Sequence, residues 1–154
     1  MRTEVVVLDA NLLVLFVVGT ASKTYIASHK RLRAYTAADF DFLVSLLSNM
    51  KRIVVTPNTV TEASNLMRQT VDPARTRISS VFRTFLSTSD EIYIVSSRAA
   101  GQPSFPRLGI ADAALLTAMT SGSVLLTADV DLYLEALRHG REAINFNHHI
   151  EANR

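Results

Sequence analysis

Five short runs rich in aliphatic residues, separated by longer stretches of helical periodicity, constrain this chain more than any other feature. The first is the Val-rich run 4–8. Arg52–Val55 and runs 91–95, 123–126 and 142–146 follow. Runs that are apolar at nearly every position suit strands covered on both faces, the setting of a parallel sheet. Strands that alternate with helices need crossovers, and helices packed on the sheet supply them. The expected fold class is therefore α/β, a three-layer sandwich around a mostly parallel central sheet of four to five strands.

The intervening stretches read as helices. One starts at Ala10 and stops near Gly19. Residues 37–50 place Phe40, Leu43, Val44, Leu46 and Leu47 on one apolar face. Thr56-Pro57 and Asp72-Pro73 mark two further starts, because proline is pre-organised for a first helical turn. Residues 110–120 and 130–139 complete the set. Residues 20–35 are polar and basic, a loop with a short helix. Residues 96–108 carry Gly101, Pro103 and Pro106 and read as a long loop, the best candidate for a mobile element.

Composition narrows the possibilities. The 154 residues, 48% hydrophobic, contain no repeat and no linker, so residues 1–154 read as one domain. A chain of this size buries roughly 70% of its unfolded surface and needs no covalent staple. The absence of cysteine excludes disulfides, thiolate metal sites and a thiol nucleophile. The apolar run 5–18 contains Asp9 and Asn11, too short and too polar to span a bilayer. Glu4 stands where a signal peptide carries basic residues, so the expected location is cytoplasmic with no membrane partner. A net charge of +2, from 16 basic and 14 acidic residues, does not by itself announce a polyanion ligand.

The acidic residues are placed less evenly than their number suggests. Asp9 ends the first strand in VVVLDAN, and Glu62 falls early in the helix after the second strand, in TPNTVTEASNL. Asp112 opens a helix in LGIADAALL, and Asp129 and Asp131 follow the fourth strand in VLLTADVDLY. In a parallel sheet these positions share one edge, the edge where ligands of such sheets bind. Crowded carboxylates raise one another's pKa, and a hard divalent cation with oxygen ligands relieves the conflict. Each residue also has an ordinary reading. Asp112, Asp129 and Asp131 could serve as caps or dipole partners of helix starts, and Glu62 as a solvated helix residue. Asp9 is the least ordinary, since an unpaired carboxylate inside an apolar run costs several kcal/mol. Asn11 and Thr127 read as helix-start or capping residues, or as groups that orient the carboxylates. His148-His149 is poorly placed for metal binding because adjacent side chains diverge. His29 with Lys30, Arg31 and Arg33 reads as a solvated basic face.

Taken in order, VLDAN, TPNTVTEASNL, GIADAALL and LLTADVDLY resemble the PIN domain, over residues 4 to 147. The resemblance implies a metal-dependent ribonuclease, a class common as the toxin halves of toxin–antitoxin pairs. The family's acidic positions match Asp9, Glu62, Asp112 and Asp129, with Asp131 as a further ligand and Asn11 at the Asn or Ser position after the first Asp. Leu132 departs from the family, which often has Phe there. The implied cofactor is Mg²⁺ or Mn²⁺, held by Asp9, Glu62, Asp112 and Asp129, with Asn11 and Thr127 fixing the carboxylates. The implied partners are an RNA substrate, an antitoxin protein and a second copy of the chain. The homodimer also draws on spare apolar residues expected in helices 37–50 and 57–69. Lys23, Lys30, Arg31, Arg33, Arg98 and Arg107 are the candidates for holding phosphates. Two other functional readings are a housekeeping RNA-processing nuclease and an inactive PIN fold that only binds. A haloacid-dehalogenase-type phosphotransferase would need Asp where Asn11 stands.

Overall fold

The computed structural model describes residues 4–153. Strands β1 (Val5–Leu8), β2 (Arg52–Val55), β3 (Asp90–Glu91), β4 (Ser123–Thr127) and β5 (Glu142–Asn145) form one sheet. Its order is β3-β2-β1-β4-β5 and every pairing is parallel. The chain builds outward from β1 to β3, then returns to add β4 on the other side of β1. The direction of winding thus reverses between β1 and β4, and such reversals open a crevice at the carboxyl ends of the strands.

The sheet's two faces are covered by different helices. Helix α1 (Ala10–Ala21) is apolar all round, with Leu12, Leu13, Val14, Leu15, Val17 and Val18 buried. A helix without a polar face must be enclosed. Helices α2 (Thr24–Ser28), α3 (Ala37–Ser48), α4 (Pro57–Met67) and α5 (Ala74–Thr88) all pack against α1. Two short helices follow, α6 (Ser96–Ala99) and α7 (Phe105–Leu108). Helices α8 (Ile110–Ala118) and α9 (Val130–Arg138) supply Leu115, Leu116, Leu132 and Ala136 to a second cluster, and α10 (Phe146–Ala152) closes the described chain. Strand alternation feeds both sides. Val6 and Leu8 join the α1 cluster, while Val7 joins Leu115 and Leu125. Three layers result. Gly19 lets α3 approach α1, because a Cβ there would lie 2.3 Å from Cδ2 of Phe40.

Several expectations are revised. Of run 91–95 only Glu91 lies in a strand, although the Ile92 N–H still bonds the Val55 carbonyl. The alternation there reflects packing rather than pairing: Ile94 is buried with Ala99, Ala113 and Ala114, while Tyr93 is 74% exposed. Residues 96–108 are not a plain loop. They contain α6 and α7, fixed by Gln102 donating to Thr117 Oγ1 at 2.9 Å and by Arg107 donating to Glu135 at 2.8 Å. Run 142–146 stops at Asn145, whose side chain caps α10 by accepting from the Asn147 N–H. His29 is buried, not solvated. Its Nε2 donates to the Met67 carbonyl at 3.0 Å and its Nδ1 accepts from the Arg31 N–H, tying the basic stretch to α4. The spare apolar residues expected on α3 and α4 face inward: Phe40, Leu43, Leu47, Ala63 and Met67 are buried, and Val44, Leu46, Val60 and Leu66 pack against them. Among the described residues no helix is long and apolar enough to cross a membrane.

Candidate metal centre

Asp9 is the residue that follows β1, and it caps α1. Its Oδ1 accepts from the Leu12 N–H at 2.9 Å, and its Oδ2 accepts from the Thr127 hydroxyl and, at 3.0 Å, from the Ala128 N–H. Thr127 thus takes the orienting role expected of it, whereas the Asn11 side chain makes no hydrogen bond to a carboxylate among the described residues. The Thr127 bond spans the crevice between β1 and β4. The same hydroxyl accepts from the Asp129 N–H at 3.0 Å, so one threonine sets two carboxylate-bearing segments against each other. A carboxylate offers about four acceptor sites; three of those on Asp9 are occupied.

Asp129 caps α9 through Oδ1, which accepts from the N–H groups of Asp131 and Leu132 at 2.9 and 3.1 Å. Glu62 projects from α4, whose start is set by the buried Thr56 cap and by Pro57. Asp112 lies in the first turn of α8, just after Gly109, whose φ of +85° turns the chain out of α7. That conformation favours glycine. Helices α4 and α8 pack together, which brings Glu62 towards Asp112.

Asp9, Asn11, Thr59, Glu62, Asp112 and Asp129 line one recess of about 80 Å³ together with Ala10, Ala111 and Leu115. Among the described residues no Lys, Arg or His is in that lining. The volume is far below the roughly 300–1,000 Å³ of small-molecule sites and suits an ion. A far larger cavity, about 620 Å³, lies elsewhere, along Phe16, Val81 and Phe85, and its cations Lys51 and Arg52 are paired with Glu4 and Asp90.

The electrostatics are those of an uncompensated anionic cluster. Burial pushes the Asp112 carboxyl up to about 7, and the charges of Asp129, Asp9 and Glu62 add to the shift. Burial also raises Asp9, against the lowering effect of its three hydrogen bonds. Neither Asp112 nor Glu62 has a hydrogen-bond or ion-pair partner for its carboxylate among the described residues. No group of three or more His, Asp or Glu among the described residues is already drawn together as ligands of one ion; the four carboxylates share a recess rather than a point. Their donor set fits Mg²⁺ or Mn²⁺: it is all oxygen and anionic, with Asp112 and Glu62 free to ligate.

Asp131 stands apart from the recess lining. It is exposed, with Arg107 Nη1 3.8 Å from its Oδ1. Of the six cations expected to hold phosphates, none lines the recess. Lys23 pairs with Asp41 at 2.7 Å, Arg31 donates to Gln69 at 2.7 Å, and Arg107 is engaged by Glu135. Lys30 and Arg33 are exposed, and Arg98 lines a separate hollow. His148 packs edge-on against Tyr133 and His149 stacks on Phe42, so the pair diverges. Thr59 in the recess wall carries no sequence signal of its own, although Thr56 three residues earlier signals a cap. Thr56 Oγ1 accepts from the Thr59 N–H and donates to the Thr59 hydroxyl at 3.1 Å.

No family model matches the chain, and no curated protein is similar enough to count as a relative.

Proposed function

We propose that this chain is a metal-dependent endoribonuclease of PIN type, hydrolysing RNA phosphodiester bonds as the toxin of a toxin–antitoxin pair. One observation carries the reading. Four carboxylates from four segments line one recess at the carboxyl edge of a parallel sheet, at its winding reversal, with no cation among the described residues in its lining. Asp9, Glu62, Asp112 and Asp129 would hold Mg²⁺ or Mn²⁺. When bound, the ion supplies Lewis acidity at the scissile phosphate.

The chain's own residues do the rest. Thr127 and the Ala128 N–H hold the Asp9 carboxylate in one orientation, and the Asp131 and Leu132 N–H groups hold Asp129. Fixed ligands need no reorganisation during reaction. Asp112, whose carboxylate has no hydrogen-bond donor among the described residues, is free to ligate the ion, whose charge would relieve the crowding that raises its pKa. Asn11, exposed at the rim, is placed to meet substrate. Asp131, held towards Arg107, is assigned to the outer surface rather than to the ion. An antitoxin protein and a second copy of the chain are the partners this reading implies. Light scattering that gives the mass of one chain at micromolar concentration removes the second.

The test is cleavage of a labelled single-stranded RNA panel with Mg²⁺ or Mn²⁺, comparing the wild type with Asp9→Asn. Metal-dependent cutting that the substitution abolishes is expected. Folded protein that cuts nothing across the panel withdraws the nuclease reading.

A further inference from the structure

A second recess, of about 470 Å³, lies between the end of α4 and the outer face of α5, lined by Arg68, Arg75, Thr76, Ser79, Ser80 and Arg83. We propose that it is a phosphate-backbone site that holds the RNA strand beside the acidic recess. The identity of the polyanion rests on the ribonuclease reading; the binding chemistry rests on the recess.

The pattern begins in the sequence. Helix α5 reads ARTRISSVFRTFLST, with three arginines and no acidic residue. Positions 75/76, 79/80 and 83 recur every four residues and form one exposed stripe, about 12 Å long at 1.5 Å per residue. The opposite face, Ile78, Phe82 and Phe85, is buried. Arg68 closes the recess from the C-cap of α4, six positions beyond Glu62 and so about 9 Å from it along the helix axis. One rigid element thus sets the spacing between the acidic recess and the basic one.

The charge is available. Among the described residues neither the Arg68 nor the Arg83 guanidinium has a hydrogen-bond or ion-pair partner. Arg75 donates Nε and Nη2 to the Thr70 carbonyl, which orients its remaining donors. The adjacent carboxylate, Asp72, is turned to the N–H and hydroxyl of Thr76. Asp72 offsets part of the Arg75 charge, but among the described residues Arg68 and Arg83 have no acidic partner, and an external anion relieves the repulsion that remains.

The lining favours nucleic acid over an acidic protein. Phosphate oxygens are met by Arg, Ser and Thr side chains, and the guanidinium fork matches them two bonds at a time. A protein interface is centred on aromatic and aliphatic anchors, and this recess has none. With no aromatic side chain in the lining on which a base could stack, binding here runs through the backbone phosphates.

The experiment is fluorescence anisotropy of a labelled uridine homopolymer on the full chain in EDTA, where no cutting occurs. It compares the wild type, Arg68→Gln/Arg83→Gln and, with equal charge loss, Lys51→Gln/Arg138→Gln, two cations that lie outside this recess. Circular dichroism verifies that each variant folds; the four side chains are exposed. The expected result is affinity at least tenfold weaker for Arg68→Gln/Arg83→Gln alone. Its slope of log affinity against log salt should be shallower by about 1.4, since each phosphate that an arginine neutralises on a single strand adds ~0.7 to the slope. Wild-type affinity and slope in that variant, equal loss in the other double variant, or no binding by the wild type overturns the proposal. Competition by polyglutamate as strong as by RNA overturns it in favour of an acidic protein. Binding that needs these arginines in a chain that never cuts keeps the recess and withdraws the nuclease; cutting with binding indifferent to them does the reverse.

Discussion

At the scale of single residues, Asp112 decides how the protein responds to pH. Its folded pKa, about 7, lies above the ordinary 3.8. A carboxyl raised in this way contributes stability below the unfolded value and loses it as pH rises through the folded one. Without divalent cation, the thermal midpoint should therefore fall between about pH 4 and pH 7, with Asp9 acting in the same sense. Asp112→Asn should reduce that fall and melt above the wild type at pH 8. Mn²⁺ should raise the wild-type midpoint at pH 8 by more than it raises that of Asp112→Asn. A pH-independent midpoint in EDTA would count against an ionised cluster. Thr127 is the other telling residue. Thr127→Val removes the hydroxyl that donates to Asp9 and accepts from Asp129. Hydrogen bonds to charged groups are worth roughly 1.5–3 kcal/mol, and a loss of that order is expected in urea unfolding.

At the scale of elements, the site depends on helices that pack without slack. Gly19→Ala would put a methyl group 2.3 Å from the Phe40 ring and force α1 from α3. Overpacking of this kind costs about 1–3 kcal/mol, measurable as a lower urea midpoint. Helices α7 and α8 are held by a different device. The buried Glu135 of α9 accepts from Arg107, Arg138 and His139 at 2.8, 3.2 and 3.2 Å. Arg107 stands five residues before Asp112, so this ion pair anchors the segment that delivers Asp112. Arg107→Ala should cost roughly 1–2 kcal/mol, tempered because Arg107 is half exposed. It should also speed amide exchange over residues 96–108, and unchanged exchange there would refute the anchoring role.

At the scale of the whole molecule, the order β3-β2-β1-β4-β5 places the acidic recess where the winding reverses. On the proposed function, expression of the chain should arrest growth, with relief by Asp9→Ala; unimpaired growth by folded protein that cuts RNA in vitro would favour a housekeeping role. The β1, β2 and β4 runs and the Thr56-Pro57 start were legible in the sequence because they follow from local propensity and burial. The acidic positions were legible because strand ends share an edge in any parallel sheet. The residues 91–95 misled because alternation is the same whether the buried side chains face a sheet or a neighbouring helix. Helix α10 was hidden behind Asn145, which ends a strand and caps a helix at once. The sequence alone thus determined the fold class, the alternation of strands with helices and which carboxylates fall at one edge, since these depend on periodicity and chain direction. Tertiary structure alone decided that Asp131 lies outside the recess, that Arg107 serves Glu135, and that Arg68 joins Arg75 and Arg83. Those outcomes depend on how separate helices are set against one another, and contacts between them leave no spacing in the chain to read.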